Sequence, residues 1–367
     1  MKAEFLLENI ENFLPLLGKI LPIHSQIQIL SNLLIEATNT GLYISTTNLE
    51  IGIRVMIQAK VSEEGATTVP GRQFIEALSS FPKDKISMSL DKEKLTLSSR
   101  NGKVAFQTIA KEEFPTLFEE RGDEVYKFEA SELQSIFPKL IFAVSTDESR
   151  PELTGVLVSE NATGTDFVAT DGFRLSLETI QGKKIFKEEI SMIFPARVIN
   201  EVLSYKNSGK VTMYIYKKAN QIIFEMEDVI IVGRIINGDF PNYKRVIPKS
   251  SKTKVVVDRE EFLRSLRISS VFAKEAANIV RIVVEEEKLK ILSSAASVGE
   301  GEEIIDAEIE GDSNEIAFNV KFLTDALKNI SGKTVIMELL SGVEPAVFKT
   351  EEDVNFTHVI MPVRVQE

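Results

Sequence analysis

The sequence predicts an α+β fold in which one domain, two helices packed on antiparallel sheets, is built three times in tandem. Three observations carry this. The chain has 367 residues, more than a single core usually fills, so two or three domains are expected. Segments passing from a β-like stretch into an amphipathic helix recur at residues 67–74, 192–199 and 316–323. The same register then runs on into a strand in all three copies, and matching positions across a helix, a loop and a strand mark an internal repeat.

The elements follow from that register. Arg72, Arg197 and Lys321 stand 125 and then 124 residues apart, and at those offsets Phe74, Ile199 and Leu323 coincide. So do Ala77, Val202 and Ala326, and then Leu78, Leu203 and Leu327. This i, i+3, i+4 spacing defines one buried helix face. Ile86, Val211 and Val335 follow, then Met88, Met213 and Met337, then Leu90, Ile215 and Leu339. Alternation with period two marks a strand with one buried face. Each copy also has a first half of similar design. Leu7 to Ile10 opens a helix carrying Phe13, Leu14 and Leu17, Ser131 to Gln134 reads as a capping box, and Asp258 to Glu261 opens the third equivalent. Alternating strands follow at 42–45, 155–158 and 280–284. Phe114-Pro115, Phe240-Pro241 and Met361-Pro362 close the copies, since proline cannot continue a central strand. The polar stretches 119–124 and 248–254 read as linkers. The expected domains are 1–122, 123–250 and 251–367.

Composition excludes much chemistry. There is no cysteine, so disulfides, thiol catalysis and thiolate metal sites are ruled out. His24 and His358 are far apart and in no metal-ligand spacing, and neither a metal nor a cofactor is expected. No phosphate-binding glycine loop or nucleophile elbow occurs, and Asp171-Gly172 reads as a tight turn, so no catalytic residue is expected. Glu4, Glu8 and Glu11 interrupt what would be a signal peptide's apolar core, and no apolar run approaches the roughly 20 residues that cross a bilayer. A cytoplasmic protein with no membrane partner is expected. Lys and Arg number 43 against 55 Asp and Glu, a net charge of −12, which argues against a broad basic surface for nucleic acid. Long antiparallel sheets running across tandem domains would end in exposed edges, and a second chain related by a two-fold axis could pair them.

Six motifs then carry a resemblance. They are Thr46-Thr47-Asn48-Leu49-Glu50, Thr67-Thr68-Val69-Pro70, the run 145–151 (STDESRP), the run 168–175 (VATDGFRL), the run 239–246 (DFPNYKRV) and the ending 359–364 (VIMPVR). Over its whole length the chain resembles the bacterial sliding clamps, the beta subunits of DNA polymerase III. The resemblance implies a non-catalytic, head-to-tail homodimer whose six domains close into a ring, helices inside and sheets outside. Double-stranded DNA would pass through, held by encirclement, and the ring would tether the polymerase as a processivity factor.

The resemblance also implies sites. A pocket between the second and third domains would take short linear peptides from the replicative polymerase, the clamp loader and repair polymerases. Its lining would begin with Leu153, Thr170, Gly172, Phe173, Arg174 and Leu175. It would continue with Pro241, Arg245 and Val246, then Val343 and Pro345. Val359, Met361, Pro362, Val363 and Arg364 would complete it. An apolar groove with few polar groups suits the Leu and Phe side chains of such a peptide; taken singly, Leu153, Leu175, Val246 and Val359 read equally as strand core. DNA would face His24, Arg72, Arg150, Arg197 and Lys321, with Lys139, Lys206 and Arg264 ranked lower. Glu76, Glu201 and Asp325, four residues on, leave open that the three repeated cations pair along their own helices. Val104 and Phe106 against Val271 and Phe272 would form the dimer interface. His24, Asp147 and Phe173 depart from residues common in the family, which weakens the expected DNA contacts of two loops and alters the pocket rim.

Overall fold

The structure, a computed structural model, describes residues 1–118, 120–186, 190–205 and 209–364. Glu119 in the first linker and the candidate cation Lys206 lie outside the described residues. Packing divides the chain into two compact units, residues 1–133 with 197–235, and 134–196 with 236–367. The middle repeat is thus shared between them.

The reason lies in the sheets, whose strands pair antiparallel throughout. In the first unit an eight-stranded sheet runs Asp123–Glu129, Lys210–Tyr216, Gln221–Glu225, Val229–Arg234, Ile51–Ile57, Gly41–Thr47, Asn32–Thr38, Gly65–Pro70. Its central seam, Val229 opposite Val55 through Gly233 opposite Ile51, joins the second repeat to the first. In the second unit a nine-stranded sheet runs Ser191–Pro195, Gly155–Glu160, Gly164–Thr170, Arg174–Gln181, Phe356–Ile360, Ala346–Lys349, Thr334–Leu339, Thr253–Asp258, Glu308–Gly311. There Arg174 opposite Ile360 through Glu178 opposite Phe356 joins the second repeat to the third. Two smaller sheets remain. A five-stranded one ends at Lys103–Gln107 and a four-stranded one at Gly299–Asp306.

The repeated helices form as the periodicity predicts, at Gly71–Ser80, Ala196–Ser204 and Val320–Asn329. Phe74, Leu78, Ile199, Leu323 and Leu327 are buried on their inner faces, with Met88, Met213 and Met337 from the strands that follow. The first-half helix differs between copies for a stated cause. Proline lacks the N–H that a helix interior needs. Pro15 therefore splits the first copy into Glu8–Glu11 and Leu14–Ile20, and Pro138 splits the second into Ala130–Ile136 and Pro138–Ile141. The third copy's helix contains no proline and runs unbroken over Arg259–Ala273. Its cap is as expected: the Asp258 carboxylate accepts the Glu261 N–H at 2.9 Å. The capping box expected at Ser131 is corrected. The strand runs straight into a helix beginning at Ala130, so Ser131 lies inside it, and the Glu132 carboxylate accepts the Glu129 N–H at 2.9 Å instead.

Candidate functional site

The central strands of the nine-stranded sheet have two faces because side chains alternate. On one face Leu175 lies opposite Val359, and Val347 lies opposite Val359 on its other side. These three join Leu157, Val168, Ile193 and Tyr243 in one buried apolar cluster. Leu177, Phe240 and Ile247 pack half-buried against it. Near this floor the chain leaves large apolar groups in the open: Phe173 is 59% exposed, Val246 39%, Met361 37% and Val343 67%. Pro241 and Arg245 are exposed beside Val246, while Pro345, Pro362 and Val363 are half-buried and Arg364 is exposed. Leu153 and Thr170 are buried.

The Asp171-Gly172 turn presents Phe173. Thr170 Oγ1 donates to the Arg174 carbonyl at 2.7 Å and accepts the Gly172 N–H at 3.1 Å. Asp171 Oδ1 accepts the N–H groups of Phe173 and Arg174 at 2.9 and 3.0 Å. Gly172 sits at φ +93°, where a side chain would be strained. Asp171 is thus a turn former, as the sequence indicated. The Met361 N–H donates to the Phe173 carbonyl at 2.8 Å and carries the ladder one step past the strand end, fixing Met361 beside Phe173. Farther on, the Val363 N–H donates to the Ala317 carbonyl at 2.8 Å.

One expected pocket residue lies on the other face. Alternation puts Arg174 opposite in direction to Leu175, and its guanidinium donates to Asp171 at 3.0 Å and Asp325 at 2.9 Å. It also lies over the rings of Phe322 and Phe142, at 4.7 and 5.4 Å. Arg174 ties the turn to the helix side and does not join the apolar floor.

That reverse face holds groups that motif reading passed over. His358 is fully buried, its Nδ1 2.8 Å from Ser176 Oγ and its ring 5.1 Å from that of Phe142. Burial, with the Arg174 charge nearby, pulls its pKa down to about 3. The signal was present: Phe356, His358 and Ile360 alternate, so His358 had to point inward with its apolar neighbours. Beside it Lys139 Nζ lies 3.0 Å from Glu178 and 2.5 Å from Asp353. Desolvation raises the Glu178 pKa above its ordinary value, opposed by the hydrogen bond and charge of Lys139.

The candidate cations divide by partner. Lys139 is only 13% exposed and paired, so it is withdrawn from any phosphate contact. Arg72 donates to the carbonyls of Leu21 and Pro22 at 3.1 and 3.4 Å, close past a helix C-terminus, and not to Glu76. Arg197 reaches Glu50 at 3.2 Å with both side chains mostly exposed. Asp325 is engaged by Arg174, and Lys321 is exposed with no carboxylate partner among the described residues. Arg150 binds Asp147 at 3.1 Å, Arg264 lies 3.6 Å from Glu261, and His24 is exposed. Val104 and Phe106 are half-buried on the edge strand Lys103–Gln107, with Phe106 5.7 Å from Phe74. Val271 is 60% exposed. The Phe272 ring lies over the other edge strand so closely that a Cβ on Gly301 would meet it at 3.0 Å. Among the described residues no cluster of side chains suited to a metal ion occurs.

Comparison with known proteins agrees over the full length. Three family models match in order: the DNA polymerase III beta subunit N-terminal domain over residues 2–118, the central domain over 127–242 and the C-terminal domain over 244–364. The chain is 29% identical over 362 residues to the beta sliding clamp of Synechococcus elongatus, covering 96% of each. It is 27% identical over 349 residues to that of Staphylococcus aureus, covering 92% of each. Among solved structures it is similar to the DNA polymerase III beta subunit of Thermotoga maritima, with TM-score 0.90, 28% identity and full coverage of both chains. Its fold is also similar to that of the DNA polymerase beta subunit of Streptococcus pyogenes, with TM-score 0.94 at 24% identity.

Proposed function

The chain belongs to the DNA polymerase III beta subunit family, and from that premise we propose how it works. It is a DNA sliding clamp, a non-catalytic processivity subunit that serves DNA and polymerase partners. Its three domains are bounded near residues 122 and 250. Two copies join head to tail into a ring of six domains around duplex DNA.

One observation supports closure above the others. By repeat register, strands 51–57, 174–181 and 299–306 are equivalents, and so are 229–234, 356–360 and 103–107. Two of the three possible seams form within the chain, 229–234 on 51–57 and 356–360 on 174–181. Of these six equivalents, the two that stand at sheet edges, 103–107 and 299–306, are those that lack each other. A second copy supplies both missing seams at once, with Val104 and Phe106 facing Val271 and Phe272. Unpaired edges are a liability that such closure removes.

The ring holds its template by topology, so weak phosphate contacts suffice and permit sliding. Lys321, Arg197 and Arg72 occupy one register and are the cations assigned to the DNA side, with Arg150 and His24 at loops. The Leu175–Val359 floor and the Phe173, Val246 and Met361 rim receive the Leu and Phe anchors of polymerase, loader and repair-polymerase peptides. Arg174 supports the turn from behind. The site of action is the cytoplasm; no helix among the described residues is long and apolar enough to cross a membrane.

A loaded clamp stays on a circular plasmid and is lost once the plasmid is linearised. Equal retention on both forms would overturn encirclement.

A further inference from the structure

We propose that the bound peptide continues past its apolar anchors into a second groove that selects an acidic flanking residue. This rests on the pocket reading above and extends it along the same sheet face.

A groove of about 600 Å³ opens where Leu177, Thr179, Tyr243, Lys244, Ile247 and Lys249 come together. It is continuous with the pocket floor: Leu177 and Ile247 pack on the cluster that contains Leu175 and Val359. Leu175, Leu177 and Thr179 alternate along one strand, so each step into the groove is about 7 Å. A peptide lying along that strand reaches it within two or three residues of its anchors.

The groove's charge fixes the occupant. Its one carboxylate among the described residues, Asp166, is already committed, accepting from Tyr243 Oη at 2.7 Å and Thr179 Oγ1 at 2.8 Å, with Lys244 Nζ at 3.9 Å. Burial pushes the Tyr243 hydroxyl pKa up, which keeps it a donor to Asp166. Lys249 is exposed and has no carboxylate partner among the described residues. Two lysines therefore line the groove, Lys244 near the committed Asp166 and Lys249 beyond it, so its cations outnumber its described carboxylate. In a chain of net charge −12, whose overall field repels acidic peptides, this is a local site where a peptide carboxylate gains a partner.

The test is fluorescence anisotropy of the full chain with synthetic peptides that share a Leu-Phe anchor pair and differ only in flanks of Glu or Ser on each side. At low salt the Glu peptide binds about three-fold tighter. The advantage disappears at high salt, where exposed pairs are screened. Lys249→Glu with Lys244→Glu removes it while the Ser peptide binds as before. Equal affinity of the two peptides for the unsubstituted chain overturns the groove alone, as does an advantage that survives both substitutions. Binding of neither peptide overturns the pocket reading and the groove with it.

Discussion

Replacing Lys139 by Met removes the cation between Glu178 and Asp353, two carboxylates packed behind the proposed peptide site. The Lys139, Glu178 and Asp353 side chains are 13%, 8% and 17% exposed, and the ammonium also lies 5.5 Å from the Phe356 ring centre. Taking one partner from a buried ion pair costs about 3–5 kcal/mol, because the remaining charge stays desolvated. Asp353 keeps some water, so the lower end applies, about 3 kcal/mol. For a cooperative unit of this size that is a fall in Tm of roughly 6–12 °C. Scanning calorimetry at pH 7.5 and pH 5 reads it. The Glu178 carboxyl already titrates above its usual range, and without Lys139 it moves higher. A carboxyl raised on folding contributes stability that is complete below its unfolded pKa and is lost as pH rises through the folded one. The deficit of Lys139→Met therefore shrinks on acidification. Adding Glu178→Gln and Asp353→Asn, which removes the stranded charges, restores most of the Tm. A variant that melts within a degree or two of the parent, or whose deficit grows at pH 5, refutes the reasoning.

Leu175→Ala with Met361→Ala strips the floor and rim and weakens a Leu-Phe peptide about ten-fold or more, while sedimentation still shows a dimer; unchanged affinity by titration calorimetry defeats the pocket. Phe272→Arg sets a charge against the edge strand at Gly301 and yields monomers on sedimentation; a persistent dimer counts against the interface. His358, held neutral with its pKa pulled to about 3, contributes stability above its unfolded value of 6.5 and loses it as pH falls toward 3. His358→Gln therefore shows a smaller drop in Tm than the parent between pH 7 and pH 4, and parallel curves would sink that account.

The repeat was legible because it is written locally, in helix faces such as Phe74 and Leu78 and in strand alternation such as Val335, Met337 and Leu339. The Asp258 cap was legible for the same reason. What escaped was non-local or depended on one residue's environment. Nothing near Val229 or Ile51 announces that these strands pair, so the sharing of the middle repeat between two sheets had no local signature. Pro15 and Pro138 did announce helix breaks that reading for apolar spacing alone passed over. Motif matching placed Arg174 beside Leu175, yet a strand sends neighbours to opposite faces, and only the structure shows Asp325, Phe142 and Phe322 receiving it. Lys139 looked like a surface cation until Glu178 met it from the strand Arg174–Gln181 and Asp353 from the loop before Phe356–Ile360.

The edge strand Gly299–Asp306 carries Glu300, Glu302, Glu303 and Asp306, whereas Lys103–Gln107 carries Lys103 and no acid. Aligning the acidic border with its own duplicate would set carboxylates across from carboxylates, which is unfavourable. Matched instead with the lysine-bearing border, it meets a neutral or cationic row. In the proposed ring, charge at these borders thus disfavours mating of like with like and gives every junction around the circumference the same sense.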